Sequence, residues 1–157
     1  MNYQSWEKEV PKQITSDYLW KLEVYRLGLF IADIGWHDIS KLVKDNRTIK
    51  LSDQLYGSLG SISANVAEGF SRKSNKEKAR FYEYALGSAR ESRDWYFKSR
   101  YILTDEVVNH RIELLTQIIK LLSRMVSQQR SYTIAEDPPL YNVETNRTTT
   151  LLEEIPF

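Results

Sequence analysis

His37 and His110 are the only two histidines in 157 residues, and there is no cysteine. Each histidine has a carboxylate four positions earlier, Asp33 before His37 and Glu106 before His110, so each pair offers two candidate ligands on one helix face. A carboxylate di-metal bundle instead needs Glu-x-x-His pairs supported by further inward glutamates, and this sequence contains no Glu-x-x-His. It also lacks a Gly-rich phosphate loop of either common form and a Gly-x-Ser-x-Gly nucleophile elbow. These absences give the expectation of a protein that is not an enzyme and has no cofactor and no metal.

The residues that do cluster are basic. Arg72, Lys73, Lys76, Lys78, Arg80, Arg90, Arg93, Lys98 and Arg100 fall within thirty positions that hold only four acids, Glu77, Glu83, Glu91 and Asp94. Cations presented together bind phosphates by releasing counterions, so this segment is the candidate nucleic-acid-binding surface for RNA or DNA. The structural alternative is that these bases solvate helix faces or pair with the four acids. Arg93 and Arg100 lie one heptad apart beside Tyr96, a placement that equally suits a subunit contact through cation–π stacking. No helix-turn-helix, zinc finger or RNP-type aromatic motif accompanies them, so binding is expected to be indifferent to base sequence. A second polar constellation, Asn65 and Glu68 with Gly69, sits inside an otherwise small and apolar stretch. Its spacing puts Asn65 and Glu68 on one face, and it is read as a buried structural motif rather than a catalytic pair.

The elements that carry these residues are helical by period. Tyr18, Leu22, Tyr25, Leu29, Ala32, Trp36, Ile39 and Val43 form one seam, predicting a helix over about 16–44 capped by Thr15, Ser16 or Asp17. Gly28 and Gly35 within it either admit a close neighbour or simply weaken the helix. Leu51, Leu55, Leu59, Ile62 and Val66 predict a second helix over about 52–69, stopped by Gly69 at positive φ. Ser74-Asn75-Lys76-Glu77 has the capping-box form and starts a third near 75. That helix has two adjoining seams, Phe81, Ala85, Ser88, Ser92, Trp95, Ser99, Ile102 and Tyr82, Leu86, Ala89, Arg93, Tyr96, Arg100, Leu103. Its second seam points to a further subunit, with Tyr82, Leu86 and Tyr96 at the oligomer interface. Thr104-Asp105-Glu106 opens a fourth helix to about 129, along Val108, Ile112, Leu115, Ile119, Leu122 and Val126.

The fold class expected is therefore all-α, an antiparallel up-down-up-down four-helix bundle. It occupies 16–130, between an N-terminal arm over 1–15 and an extended acidic and apolar C-terminal tail over 131–157. The tail holds one base against five acids, which leaves residues 1–130 at +5 although the whole chain is at +1. Its end, Leu151-Leu152-Glu153-Glu154-Ile155-Pro156-Phe157, is apolar enough to dock on its own or a neighbouring subunit, with disorder as the alternative. The first ten residues carry Glu7, Lys8 and Glu9 where a signal peptide needs an apolar run, and no long uncharged stretch follows. A cytoplasmic location without membrane contact is expected, and the Asn-x-Thr matches at Asn46 and Asn146 are read as chance.

One stretch resembles a known family. Ser61-Ile62, Asn65-Val66-Ala67-Glu68-Gly69-Phe70, Arg72-Lys73-Ser74, Lys76-Glu77, Arg80-Phe81 and Ala85-Leu86-Gly87-Ser88 are similar to the bacterial four-helix-bundle proteins encoded in intervening sequences of large-subunit ribosomal RNA genes. That family also includes the accessory variability proteins of diversity-generating retroelements. The likeness is strong over about 51–92 and extends to the flanking helices by pattern. Ser63 departs from it, standing where family members usually carry proline, and the tail lies outside the common core. The resemblance implies a homopentameric ring without known enzymatic activity. In the retroelement branch it also implies binding to a reverse transcriptase and nucleic acid. The expected function is a non-enzymatic, oligomeric nucleic-acid-binding accessory protein, with a reverse transcriptase as candidate partner. The alternative is a protein-interaction scaffold with no nucleic-acid role.

Overall fold

The computed structural model describes residues 2–131, 151–153 and 155–157. Among them the regular structure is helical throughout. Four long helices dominate: α3 (Glu23–Leu42), α4 (Ile49–Phe70), α5 (Asn75–Lys98) and α6 (Asp105–Ser131). Two short helices, α1 (Tyr3–Glu9) and α2 (Lys12–Thr15), precede them.

The four long helices pack in chain order, α3 on α4, α4 on α5 and α5 on α6, while α3 and α6 touch more lightly and close the arrangement. Connectors of four to six residues reach at most roughly 20 Å, whereas helices of 20 residues or more are at least about 30 Å long. Consecutive packed helices must therefore run antiparallel. Ser74 caps α5 by accepting from the Glu77 amide at 3.2 Å. The box is only half formed, because the Ser74 hydroxyl donates to the Glu77 carboxylate rather than the carboxylate reaching the Ser74 amide. Thr104 Oγ1 accepts from the Val107 amide at 3.4 Å and opens α6.

The first predicted helix is corrected. Asp17 does cap a turn, accepting from the Leu19 amide at 2.9 Å, but that turn is the 3-10 segment Tyr18–Lys21, and α3 begins only at Glu23. Trp6 from α1 is buried beside Tyr3, Trp20 and Phe30 and donates to Asp33 Oδ2 at 2.6 Å, so the arm packs into the core cluster. The buried face of α3 runs through Val24, Leu27, Gly28, Ile31, Ile34, Gly35, Asp38 and Leu42. The predicted seam lies on its flank, and Tyr18, Trp36 and Val43 are exposed.

Two glycines of α3 do admit close neighbours. A Cβ on Gly28 would lie 3.2 Å from Ser63 N, and one on Gly35 would lie 2.6 Å from Leu59 Cδ1. Gly69 is a different case. It has no positive φ and α4 continues to Phe70, but the Tyr82 ring fills its side-chain space, 2.7 Å from where a Cβ would be.

The two seams of α5 are both used inside the chain, because α5 lies between α4 and α6 and needs a contact face for each. Tyr82 and Tyr96, expected at an oligomer interface, are instead core residues, at 4% and 0% exposure, and Leu86 is half-buried against the same core.

Part of the expected tail takes a defined place. Residues 151–153 are helical and Leu151 is buried, while Leu152 and Ile155 pack against the core. This end of the chain docks on its own protomer, against α3 and α6. The extended character expected of 132–150 falls outside the described residues. Among the described residues no helix is long and apolar enough to cross a membrane.

Candidate nucleic-acid interface

Because α5 buries the face through Ala79, Tyr82, Ala85, Ala89, Ser92 and Tyr96, it turns a continuous opposite stripe to solvent. Arg80, Tyr84, Arg90, Asp94 and Phe97 are exposed along it, and Tyr101 is exposed in the 3-10 turn Ser99–Tyr101 that follows. Arginines and aromatics are paired on this stripe. Arg80 Nε donates to the Tyr84 hydroxyl at 2.7 Å and its guanidinium lies 5.5 Å from that ring's centre. Arg100 sits over both Phe97 (4.2 Å) and Tyr101 (4.4 Å), and its amino groups donate to the Phe97 carbonyl and the Tyr101 hydroxyl. Phe97 and Tyr101 are nonetheless 54% and 79% exposed, so the ring surface that Arg100 does not cover is open to a ligand.

Between Arg90 and Phe97 the stripe is hollowed. Arg90, Arg93, Asp94, Phe97 and Ile112 line an open groove of about 370 Å³. Arg93 is anchored there by a 3.3 Å bond to Thr116 Oγ1 on α6. Arg93 and Arg100 do not stack on Tyr96 as the heptad spacing had allowed, because Tyr96 faces inward.

The other predicted cations divide differently. Arg72 pairs with Glu68 and lies 4.7 Å above the Phe81 ring, so it is committed to the α4–α5 corner. Lys98 pairs with Asp94 at 2.5 Å and covers Trp95. Lys73 and Lys76 are exposed and Lys78 is half-buried, without an ion pair among the described residues. Lys76 and Arg100 stand 24 residues apart, about 36 Å along a helix, so the nine bases make two groups rather than one patch.

Asn65 and Glu68 make the kinds of bond expected of a structural motif, to neighbouring backbone and to Arg72, but they are not buried. Asn65 Nδ2 donates back to the Ser61 carbonyl at 2.8 Å within α4, and Glu68 is exposed in its ion pair with Arg72.

The buried polar centre of the molecule lies elsewhere, and sequence spacing gave no sign of it. Asp38 on α3 and Arg111 on α6 are both fully buried, joined from Arg111 Nε to Asp38 Oδ2 at 2.8 Å. Tyr96 donates its hydroxyl to the same oxygen at 2.9 Å. Burial, then the neighbouring Asp38 carboxylate, pushes the Tyr96 phenol well above its ordinary range. Arg111 also donates to Pro156 O at 2.9 Å and meets His110 Nδ1 at 2.8 Å. His110 Nε2 lies 2.6 Å from Leu151 O. The two carboxylate–histidine pairs, weighed as candidate ligands, are not brought together: Asp33 serves Trp6, His37 packs against Phe157, Glu106 is exposed and His110 faces the C-terminal segment. No metal-holding group of three or more such side chains occurs among the described residues.

The family described as 23S rRNA-intervening sequence protein matches residues 21–124, from just before α3 through most of α6. No curated protein matches the chain. Among solved structures the chain is similar to a protein of unknown function from the S23 ribosomal protein family of Bacteroides thetaiotaomicron VPI-5482. The two are 25% identical with a TM-score of 0.62, over 66% of this chain and 97% of that one.

Proposed function

For a chain that belongs to the 23S rRNA-intervening sequence protein family, we propose a non-enzymatic role in which the exposed stripe of α5 binds single-stranded nucleic acid. The observation that carries this reading is the exposure of Arg80, Tyr84, Arg90 and Phe97 along α5, continued by half-buried Arg100 and exposed Tyr101 in the 3-10 turn that follows it. Aromatic faces stack on bases of any kind, and arginines neutralise the phosphates between them, so this arrangement suits a strand with unpaired bases better than a duplex. It offers no base-reading element, and discrimination among sequences is expected to be weak. The accessory role beside a reverse transcriptase that the resemblance implies would set such a surface against template RNA.

Filter binding of a 20-nucleotide single-stranded RNA, its DNA counterpart and a duplex tests the reading. The single strands should bind more tightly than the duplex. Removing both Phe97 and Tyr101 as alanines should weaken single-strand binding by about 1–3 kcal/mol per lost stack. Retention of the duplex above the single strands, or no effect of the double substitution in a folded protein, overturns it.

A second reading, the protein scaffold, is favoured by a separate observation. Trp36 and Tyr56 form an exposed edge-to-face pair 5.7 Å apart, on the α3–α4 side and away from the α5 stripe, and Val43 and Ile49 at the α3–α4 turn are exposed as well. The homopentamer, as a proposal, would use this surface rather than the buried Tyr82 and Tyr96. An apolar contact of that kind persists at high salt, whereas phosphate binding does not.

A further inference from the structure

The C-terminal segment lies at the junction of α3 and α6, which pack more lightly than α3 on α4, α4 on α5 or α5 on α6. The segment's apolar side chains, Leu151, Leu152 and Ile155, pack on the core, but two of its main-chain carbonyls are held by side chains. Leu151 O is met by His110 Nε2 at 2.6 Å and Pro156 O by Arg111 Nη2 at 2.9 Å. The Phe157 ring lies 5.6 Å from the Arg111 guanidinium and 5.2 Å from the His37 ring. Three apolar anchors and two carbonyl contacts hold the segment as a cleft holds a peptide. Residues 151–157 also lie outside the span that matches the family, so the fold of residues 21–124 is shared by chains without reference to this segment.

The protonation state of His110 is fixed by its neighbours. A guanidinium can only donate, so His110 Nδ1, 2.8 Å from Arg111 Nη1, must accept. The single ring proton is then on Nε2, which donates to Leu151 O. A second proton would set an Nδ1–H against an Nη1–H, so the protonated ring needs the Arg111 guanidinium to turn away, and that guanidinium is what holds Pro156 O. The charged groups acting on the ring are Asp38 from α3 and Arg111 and Glu113 from α6, with the Leu151 carbonyl on the segment itself, while Tyr96 from α5 bonds to Asp38. Burial lowers the affinity of His110 for a proton, Arg111 acts in the same direction, and the Leu151 carbonyl, Asp38 and Glu113 oppose them.

We infer that the cleft between α3 and α6 is a peptide-binding site, that residues 151–153 and 155–157 supply its tethered resident ligand, and that the ligand lets go when His110 takes up a proton. The vacated cleft presents His110 and Arg111 to any other apolar segment with unpaired carbonyls. The inference does not depend on nucleic-acid binding, since it uses the opposite face of α6 from the α5 groove.

The test uses the full chain, which has no cysteine of its own. A protease site is inserted between residues 131 and 151, and N142C carries a dye. After folding and cleavage, anisotropy follows whether the freed C-terminal fragment stays bound while circular dichroism follows the helices. The fragment should be retained at pH 8 and released toward pH 5. Its binding constant should fall by up to roughly tenfold per pH unit between the closed and open titration points of His110. His110→Gln, which can donate to Leu151 O and accept from Arg111 without titrating, should retain the fragment at both pH values. His37→Gln should leave the pH dependence in place. Loss of the fragment at pH 8, equal retention at pH 8 and 5, pH dependence that survives in His110→Gln or vanishes in His37→Gln, or helix loss in step with release would each overturn the inference.

Discussion

Arg111 is the largest side chain without solvent exposure, and it is tolerated there because each of its nitrogens has a partner: Asp38, His110 and the Pro156 carbonyl. Removing one member of a buried ion pair leaves the other charge unpaired in a medium that cannot solvate it, at a cost of about 3–5 kcal/mol. Asp38→Asn and Arg111→Met should each lower unfolding free energy in urea by that order. The double substitution should lose much less than the sum of the two, because neither charge is then stranded. Tyr96→Phe, which removes one neutral donor from Asp38, should lower it by about 1 kcal/mol. By contrast, Glu68→Ala removes an exposed pair and should change stability by less than about 1 kcal/mol. The sequence drew attention to Asn65 and Glu68 because they are polar within an apolar helix. Asp38 and Arg111, 73 residues apart, carry no local signature at all. Only the return of α6 alongside α3 brings them together.

At the level of the helices, what the sequence showed and what it hid have one cause. Period, caps and turns placed α4, α5 and α6 to within a few residues because their buried faces are largely apolar and their ends carry Ser74 and Thr104. On α3 the buried face includes Gly28, Gly35 and Asp38, which an apolar count rejects, so the flanking stripe of Tyr25, Leu29 and Trp36 scored as the seam. Close approach also decides what glycine substitutions do. Gly57, Gly60 and Gly87 have open space where a Cβ would lie, so alanine there should stabilise by up to about 1 kcal/mol through helix propensity. At Gly69 a Cβ would meet two Tyr82 ring atoms within 3 Å and Phe81 Cβ at 3.0 Å. A ring cannot yield as a flexible chain end does, so Gly69→Ala should destabilise by about 1–3 kcal/mol despite the same propensity gain. Thermal melts of the four single variants separate the two classes by sign.

For the molecule as a whole, the length of the α5 stripe sets a limit that binding experiments can read. From Arg80 to Tyr101 is 21 residues, about 32 Å of helix, which matches roughly nine nucleotides of stacked strand at 3.4 Å each. On the proposed reading, one protomer would therefore engage about nine nucleotides. If the protein acts as a single copy, affinity should rise with strand length up to about that point and then grow only slowly. Several copies arranged so that their stripes follow one another would behave differently. Each added site would be an intramolecular event at high effective concentration, and affinity would climb again beyond nine nucleotides by factors of ten or more. The salt slope would climb with it, by about 0.7 unit for every further phosphate neutralised on a single strand. A series of single strands from 6 to 50 nucleotides, titrated at several salt concentrations alongside light scattering of the free protein, separates these cases. The pentameric proposal requires a pentamer-sized mass together with a second rise in affinity and slope. A monomer mass with a plateau near nine nucleotides would leave the α5 stripe as a one-protomer site and remove the ring from the account.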